Sequence, residues 1–300
     1  MIDEQNFVYE VYGLIISSPF EIKELEPSKD AVPIDTQIVL TKLGLLVPNS
    51  ELSYSFSKER QTIIVPVVGA FVIEGVNTVL VEPAEGVTEA LLSVAVLGPV
   101  LAILLHLRRR FVLHGSAVIH DGRVFGFVGD KGAGKSTLAA MLLKNQSVDF
   151  YTDDLLVVSS ELRALRGYPQ MKLSDEALQH ANRQIGRVRD APHQEFPKNQ
   201  FLLNQQAVSK SLPIGGIYEL RRASRTKIED LQLHDAIRVL LRFSYISRYE
   251  NRIMSTGEKQ HLFDVSTRLA ASGAVSRLYV PENIAELDQV FEAITETAQG

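Results

Sequence analysis

The stretch of sequence that decides the fold is Gly129-Asp130-Lys131-Gly132-Ala133-Gly134-Lys135-Ser136, followed by Thr137. It matches the pattern G-x-x-x-x-G-K-[ST] at every fixed position. Its glycines allow successive backbone N–H groups to point inward at phosphate oxygens. Lys135 is expected to reach the β- and γ-phosphates, and the hydroxyl of Ser136 to ligate Mg²⁺. The segment Gly129–Thr137 therefore predicts a site for ATP, or another nucleoside triphosphate, together with Mg²⁺.

The residues on both sides of this phosphate loop favour the same interpretation. The apolar run Val124–Val128 precedes it and predicts a strand, and the segment 136–144 follows it and predicts a helix. A helix that begins at the loop directs its positive N-terminal end toward the phosphates. A chance glycine-rich turn is the alternative, and it does not account for both flanks.

Two adjacent acids, Asp153 and Asp154, lie 17 and 18 residues beyond Ser136. A phosphate site needs an acid to hold Mg²⁺, and transfer to a hydroxyl also needs a carboxylate that accepts the hydroxyl proton. The segment 149–159 is otherwise apolar and is interpreted as one strand. Charged side chains inside it are costly unless a metal ion or a basic group meets them. The alternative is the end of a strand that reaches solvent.

The dipeptide His114-Gly115 ends a predicted strand that is expected to pair with the strand entering the phosphate loop. A histidine at this position could assist proton transfer or contact the γ-phosphate. A buried histidine that is merely hydrogen-bonded is the commoner explanation for a single residue of this kind.

Composition limits the classes of protein that the chain can represent. Its 300 residues are 45% apolar and 22% charged, and the formal net charge is −5. There is no basic excess that would favour nucleic-acid binding. The absence of cysteine excludes disulfides, thiolate metal sites and cysteine nucleophiles. The acidic, polar start lacks the basic and apolar regions of a signal peptide, so a cytoplasmic location is expected.

One apolar run, Ala90–Leu105, is followed by Arg108-Arg109-Arg110 and resembles a short membrane span with a positive flank. The run has 16 residues, whereas a span needs about 20. It also contains Gly98-Pro99. We therefore expect a helix over 88–107 that is buried in a globular core, and no membrane partner.

The order of patterns along the chain predicts two domains. Residues 1–85 contain short runs rich in β-branched and aromatic residues, including a hairpin at 71–82, and predict a small β-rich domain. Residues 86–300 combine strands with helices at 232–247 and 284–298, and predict an α/β domain. Residues 180–212 are polar, and we expect a long excursion or mobile loop there.

Three pieces together resemble the catalytic domain of the HPr kinase/phosphorylase family, whose closest relatives in fold are the phosphoenolpyruvate carboxykinases. They are His114–Val118 with the hairpin after it, the phosphate loop, and Thr152-Asp153-Asp154 followed by an apolar strand. The resemblance covers residues 105–160 well and the rest loosely. It implies a kinase domain of this type, preceded here by the β-rich domain.

Further stretches resemble the HPr-kinase-like proteins of lasso-peptide gene clusters, which phosphorylate the C-terminal serine of a precursor peptide. They are Tyr12–Ser18, Gly129–Gly132 and Gly167–Leu173. Residues 1–85 do not resemble the N-terminal domain of true HPr kinases, and the Glu-x-Arg-Gly stretch linked to phosphorylase activity is absent. The resemblance therefore implies a serine kinase with a peptide partner, and leaves HPr as substrate and the reverse reaction in doubt. True HPr kinases are oligomers, so a homo-oligomer is a further possibility.

The resemblance also assigns roles to individual residues. It implies that Asp153 faces the substrate hydroxyl, that Asp154 lies on the Mg²⁺ side, and that His114 is the active-site histidine. Lys135 completes the catalytic set. Positive charge for the phosphate or the peptide is expected from three further residues: Lys198, Arg248 and Arg252.

Two other functions remain open at the level of sequence. A kinase that phosphorylates an amino acid or a sugar would need a closed pocket instead of a groove for a peptide. A regulator that switches on nucleotide binding would need no proton acceptor, and the presence of His114 and Asp153 argues against it. No motif that reads the base distinguishes ATP from GTP.

Overall fold

A computed structural model describes residues 6–28, 32–45, 52–180, 184–189, 191–194, 196–204, 211–249, 255–283 and 288–299. Two large sheets and one small sheet account for its strands, and the helices pack between and around them. The α/β fold class predicted from the sequence is thus confirmed.

The first seven strands form one sheet, in the order β1-β2-β3-β7-β6-β5-β4. Alternating buried and exposed residues, as in β5 and β7, place one face of it on the core. The strands are β1 Phe7–Val11, β2 Leu14–Ser18, β3 Thr36–Leu40, β4 Ser53–Phe56, β5 Arg60–Val65, β6 Gly69–Glu74 and β7 Thr78–Pro83.

The long apolar run forms a kinked helix that joins this sheet to the rest of the chain. Helix α1 spans Glu89–Ala95, a π-helical segment spans Val96–Val100, and helix α2 spans Leu101–Leu107. The kink lies at Gly98, whose backbone is not helical, directly before Pro99. The stretch Glu89–Leu107 is long and apolar enough to cross a membrane, with a mean hydropathy of 2.4, yet 78% of its most apolar window is buried inside the protein.

The second large sheet carries the phosphate loop. Five of its strands close into a ring, because β8 pairs with β9, β9 with β16, β16 with β12, β12 with β11, and β11 again with β8. The strands are β8 Phe111–His120, β9 Arg123–Val128, β10 Val148–Thr152, β11 Leu155–Val158, β12 Arg163–Leu165, β16 Ser211–Arg222, β17 Lys227–Asp230 and β18 Val275–Val280.

The phosphate loop connects β9 directly to helix α3, as the sequence predicts. The hairpin before it turns at Asp121-Gly122, where both residues have positive φ, as a tight two-residue hairpin requires.

The remaining helices are α3 Lys135–Leu142, α4 Asp175–His180, α5 Leu233–Arg242, α6 Thr256–Ala271 and α7 Asp288–Gln299; a 3₁₀ turn spans Tyr245–Tyr249. The third sheet has the order β13-β15-β14, with β13 Gln170–Leu173, β14 Gly186–Arg189 and β15 Asn199–Leu203.

Three expectations about local structure were wrong. The segment 149–159 is two strands, β10 and β11, because the chain turns sharply at Asp153-Asp154. The mobile loop expected as one alternative for 180–212 is wrong for its described part, which contributes β14, β15 and the start of β16; β15 pairs with β13 and β14, and β16 pairs with β12. The helix expected over 232–247 ends at Arg242, and a 3₁₀ turn follows.

Candidate functional site

The phosphate loop has the backbone that its glycines allow. Gly134 caps α3 with a φ of 94°, and Gly132 has a φ of 85°. Both values lie in the left-handed region that favours glycine. The Nζ atom of Lys135 donates hydrogen bonds to the carbonyl oxygens of Gly129 and Asp130, at 3.0 and 3.1 Å. Burial lowers the pKa of Lys135, with Asp153 acting in the opposite direction. The lysine side chain thus lies across the loop, and the oxygens of a bound phosphate would replace the two carbonyl oxygens as its hydrogen-bond acceptors.

Asp153 is bound to the serine of the phosphate loop. The Ser136 hydroxyl donates to its Oδ1 at 2.9 Å, and the Ser116 hydroxyl donates to the same oxygen at 2.5 Å. Its other oxygen, Oδ2, accepts from the backbone N–H of Lys172 at 2.8 Å. The residue is 4% exposed, and burial together with the neighbouring Asp154 charge raises its pKa. This is the position of a carboxylate that would share a cation with Ser136.

Asp154 lies in a different environment from its neighbour. Its φ is 69°, a strained conformation for a residue other than glycine, so the two adjacent side chains need not point to opposite faces as on a regular strand. Its Oδ2 accepts a hydrogen bond from Lys172 Nζ at 2.5 Å. Burial acts to raise the pKa of Asp154, but the Lys172 charge outweighs it and holds that pKa well below the usual range. Asp154 therefore remains an anion.

The roles that the resemblance implies for the two acids stay predictions, and this geometry favours their exchange. Asp153, expected at the substrate hydroxyl, is the acid that contacts Ser136. Asp154, expected beside Mg²⁺, instead accepts a hydrogen bond from Lys172 Nζ, and its backbone oxygen lies 3.1 Å from His114 Nδ1. The sequence gives no means of deciding this, because the turn that separates the two side chains depends on the left-handed backbone at Asp154.

His114 lies beside the acid turn. Its Nδ1 is 3.1 Å from the backbone oxygen of Asp154. A carbonyl oxygen can only accept, so Nδ1 carries the proton in this pair and the lone pair of Nε2 remains available. Burial and the charge of Arg248 lower the pKa of His114 to about 4. The imidazole is therefore neutral at pH 7 and able to accept a hydrogen bond or a proton.

A cavity of about 400 Å³ surrounds the phosphate loop. Its lining residues from the loop and from α3 are Lys131, Gly132, Gly134, Lys135, Ser136 and Thr137. Its lining residues from elsewhere include His114, Ser116, Asp153, Asp154, Lys172, Lys198, Arg222 and Glu282. All predicted catalytic and metal-binding residues thus meet in one place.

The donors present fit a magnesium ion. Among the described residues no cluster of three or more acidic or histidine side chains could hold a metal. Mg²⁺ does not need one, because it usually keeps several waters and takes one or two protein oxygens plus the phosphates. The buried Asp153 carboxylate, which receives neutral donors from Ser136 and Ser116, is suited to such an ion.

A second cavity, of about 250 Å³, adjoins the first and shares His114, Asp154 and Lys172 with it. Aromatic and apolar side chains form most of its remaining wall: Leu52, Tyr54, Val65, Val94, Ala95, Pro99, Phe196, Tyr245 and Tyr249. Leu52, Tyr54 and Val65 lie in or beside the first sheet, and Val94, Ala95 and Pro99 lie in the kinked helix. Phe196 lies between β14 and β15, and Tyr245 and Tyr249 lie in the 3₁₀ turn. The sequence contains no motif that could have revealed this cavity, since its walls come from four distant segments.

The structure places two of the three further basic residues that were expected at the site. Lys198 lines the phosphate cavity and Arg248 lines the aromatic cavity. Arg252 lies outside the described residues. Sequence reasoning missed Lys172 as a site residue, although it lies in the stretch Gly167–Leu173 that carried part of the resemblance. No pattern marks it, because it meets Asp154 only through the pairing of separate elements.

Comparison with known proteins supports the identification of Gly129–Ser136 as a phosphate loop. Residues 114–264 match the family described as ABC transporter. The match begins at His114 and contains the loop, the acid turn and helices α3 to α5. No curated protein gave a significant match. Since the matched segment is 151 of the 300 residues, the chain belongs to the ABC transporter family and carries its P-loop nucleotide-binding domain.

Proposed function

We propose that this protein is a Mg²⁺-dependent kinase of the HPr-kinase-like type, which transfers the γ-phosphoryl group of ATP to a serine hydroxyl of a peptide. The observation that carries the proposal is the second cavity. It adjoins the phosphate cavity across Asp154, His114 and Lys172, so an alcohol bound there would lie next to a carboxylate that is not engaged with Ser136. A serine near the C-terminus of a lasso-peptide precursor is the acceptor that the sequence resemblance supports.

The transfer step uses the two acids for different purposes. The acceptor oxygen attacks the γ-phosphorus, a new O–P bond forms, and the bond from the γ-phosphorus to the β–γ bridging oxygen breaks. ADP leaves, and the hydroxyl proton passes to Asp154. His114, neutral at pH 7, donates through Nδ1 to the backbone oxygen of Asp154 and so supports the acid turn beside the hydroxyl. Lys172 keeps Asp154 ionised before the acceptor arrives.

The phosphate loop supplies binding and charge. Its backbone N–H groups and Lys135 hold the β- and γ-phosphates. Ser136 and Asp153 would hold Mg²⁺, which neutralises phosphate charge when bound. With these assignments each acid has a single task.

An ATPase is the second candidate, and the family match favours it. The same acid pair could position and polarise a water in place of an alcohol. The apolar and aromatic lining of the second cavity argues for an organic acceptor, because a water needs no such wall.

One assay separates the two functions. The protein is incubated with Mg²⁺ and ATP labelled at the γ-phosphate, with and without peptides that contain serine near the C-terminus. A kinase gives labelled phosphoserine, located by mass spectrometry, only when peptide is present. Release of inorganic phosphate at a rate that no peptide alters would reject the kinase in favour of the ATPase. Phosphate found only on other residue types would reject serine as the acceptor.

A further inference from the structure

The aromatic cavity carries an excess of positive charge. Lys172 and Arg248 line it as cations, and Asp154 lines it as an anion. His114 contributes no charge at pH 7. Asp154 is paired with Lys172, which leaves the charge of Arg248 uncompensated by any salt bridge among the described residues. A cavity of this kind favours a ligand with a negative charge.

Among the residues that the structure describes, Arg248 has an aromatic partner and no acidic one. Its guanidinium carbon lies 4.5 Å from the centroid of the Tyr245 ring, a cation–π contact. Tyr245 in turn packs edge-on against His114, with ring centroids 6.2 Å apart. The guanidinium stacked on this ring therefore keeps N–H donors for a ligand, and its fork geometry suits a carboxylate.

The walls of the cavity are rigid aromatic rings. Tyr249 is 4% exposed and contacts Tyr54 edge-on, with ring centroids 4.6 Å apart. Leu52, which is 45% exposed, leaves an opening to solvent. The volume of about 250 Å³ is smaller than the roughly 300–1,000 Å³ typical of small-molecule pockets. The cavity thus has room for one end of a ligand, and the rest can extend outward past Leu52.

We propose that the aromatic cavity is the acceptor subsite, and that Arg248 binds a carboxylate that the acceptor carries close to its hydroxyl group. This inference rests on the proposed kinase function. Both the terminal residue of a peptide and a free hydroxy amino acid have this chemistry. The carboxylate directs the hydroxyl toward Asp154, and the side chains of Tyr54 and Tyr249 line the cavity around the carbon atoms that join the carboxylate to the hydroxyl.

Binding is measured by calorimetry in the presence of Mg²⁺ and a non-hydrolysable ATP analogue, so that no transfer is needed. The ligands are a short peptide ending in serine, the same peptide as its C-terminal amide, and free L-serine. The variants are Arg248→Ala, Arg248→Lys and the control Arg238→Ala, an arginine on α5 that is 76% exposed and lines neither cavity. Thermal unfolding confirms that each variant folds.

We expect the amide, and separately Arg248→Ala, to weaken peptide binding about tenfold to a hundredfold, the range for a lost hydrogen bond to a charged group. Combining the two changes should add little, because both remove the same contact. Arg248→Lys should recover part of the affinity, and Arg238→Ala should bind like the wild type. Free L-serine binding as tightly as the peptide would identify a small-molecule acceptor.

Equal binding of acid and amide would overturn the inference. So would a loss of nucleotide affinity in Arg248→Ala with unchanged peptide affinity, which would assign Arg248 to the phosphates. Carboxylate binding that depends on Arg248, combined with no phosphoryl transfer, would instead overturn the kinase proposal and leave the anion-binding cavity supported.

Discussion

Lys135 is the residue on which nucleotide chemistry depends most directly. Replacement by alanine removes the charge that reaches the β- and γ-phosphates, so we expect Lys135→Ala to abolish transfer. Lys135 is buried, at 8% exposed. The fold should nevertheless persist, because apolar residues of α3 such as Leu138 and Ala139 anchor the helix. The exposed Lys144 supplies the control, and wild-type turnover in Lys135→Ala would contradict the assignment of the motif.

Substitution of the two acids should have different effects on the reaction. Asp153→Asn should raise the Mg²⁺ concentration required for nucleotide binding, because Asp153 contacts Ser136. Asp154→Asn should leave nucleotide affinity near the wild-type value and lower single-turnover transfer by about 10²–10⁴-fold, the usual cost of losing a positioned base. The measurement is nucleotide affinity at several Mg²⁺ concentrations beside single-turnover rates. If Asp153→Asn alone lost the chemistry, the roles implied by the family resemblance would be restored.

His114 should make stability depend on pH. Its pKa is about 4 in the folded protein and about 6.5 when unfolded, so between these values the unfolded chain binds the proton and the folded chain does not. Stability therefore falls as the pH drops from 6.5 toward 4, by about 2 kcal/mol at pH 5. Denaturant unfolding at pH 7.5 and pH 5 tests this. His114→Gln should lose less stability than the wild type over that range; an equal loss would show that another group dominates.

At the scale of elements, the turn between β10 and β11 sets the direction of both acids, and the first sheet supports it. Tyr12 comes from the turn between β1 and β2 and is 1% exposed. Its hydroxyl is 3.0 Å from the Thr152 hydroxyl and donates to the backbone oxygen of Leu155 at 3.0 Å. Gly167 lies against the same pair, and a Cβ there would be 2.4 Å from Thr152 Oγ1. The N-terminal sheet thus holds the residues on either side of Asp153-Asp154.

Tyr12→Phe should therefore reduce transfer as well as stability. Loss of a buried hydroxyl that bridges two groups costs about 1–3 kcal/mol of stability. Tyr9→Phe is the matched control, since Tyr9 is also buried and its hydroxyl accepts a hydrogen bond from the backbone of Ile22, away from the acid turn. Both variants should unfold at lower denaturant, and only Tyr12→Phe should lower the transfer rate at saturating nucleotide. Equal transfer rates would limit Tyr12 to a structural role.

Local patterns predicted the parts of the site that depend on neighbours in sequence. The phosphate loop, the hairpin at Asp121-Gly122 and the buried apolar helix follow from glycine placement, turn chemistry and hydropathy. The parts that failed depend on long-range pairing. Nothing local places Lys172 beside Asp154, and the break at the acid turn requires a left-handed residue that apolar periodicity does not reveal. The aromatic cavity combines residues up to nearly 200 positions apart, such as Leu52 and Tyr249.

At the scale of the whole molecule, one apolar cluster extends through both large sheets. It contains Phe71 and Val81 of the first sheet, Leu101 of the kinked helix, and Leu113 and Leu156 of the second sheet. A separate cluster lies behind the phosphate loop and includes Phe127, Leu138 and Phe201. The division at residue 85 expected from sequence stays a prediction, and the shared cluster bears on whether its two parts can fold separately.

A chain of 300 residues commonly unfolds in more than one step, so a single transition would be informative. We expect one, because the shared cluster couples the first sheet to the strands that carry His114 and the acid turn. Phe71→Ala, at a site that is 0% exposed in β6, should cost about 3–5 kcal/mol. This loss of stability should lower the denaturant midpoint equally for two probes, far-ultraviolet circular dichroism and the release of a bound fluorescent nucleotide.

The control for Phe71→Ala is Phe263→Ala on α6, where the ring is 52% exposed and its removal should shift neither probe appreciably. The decisive comparison is between the two probes within one variant. If Phe71→Ala lowered the circular-dichroism midpoint while nucleotide release stayed at the wild-type denaturant concentration, the first 85 residues would be an independent domain. The contacts of Tyr12 with the acid turn would then be too weak to couple it to the site. Coincident shifts would instead mean that the N-terminal sheet is part of the structure that holds Asp153 and Asp154 in place.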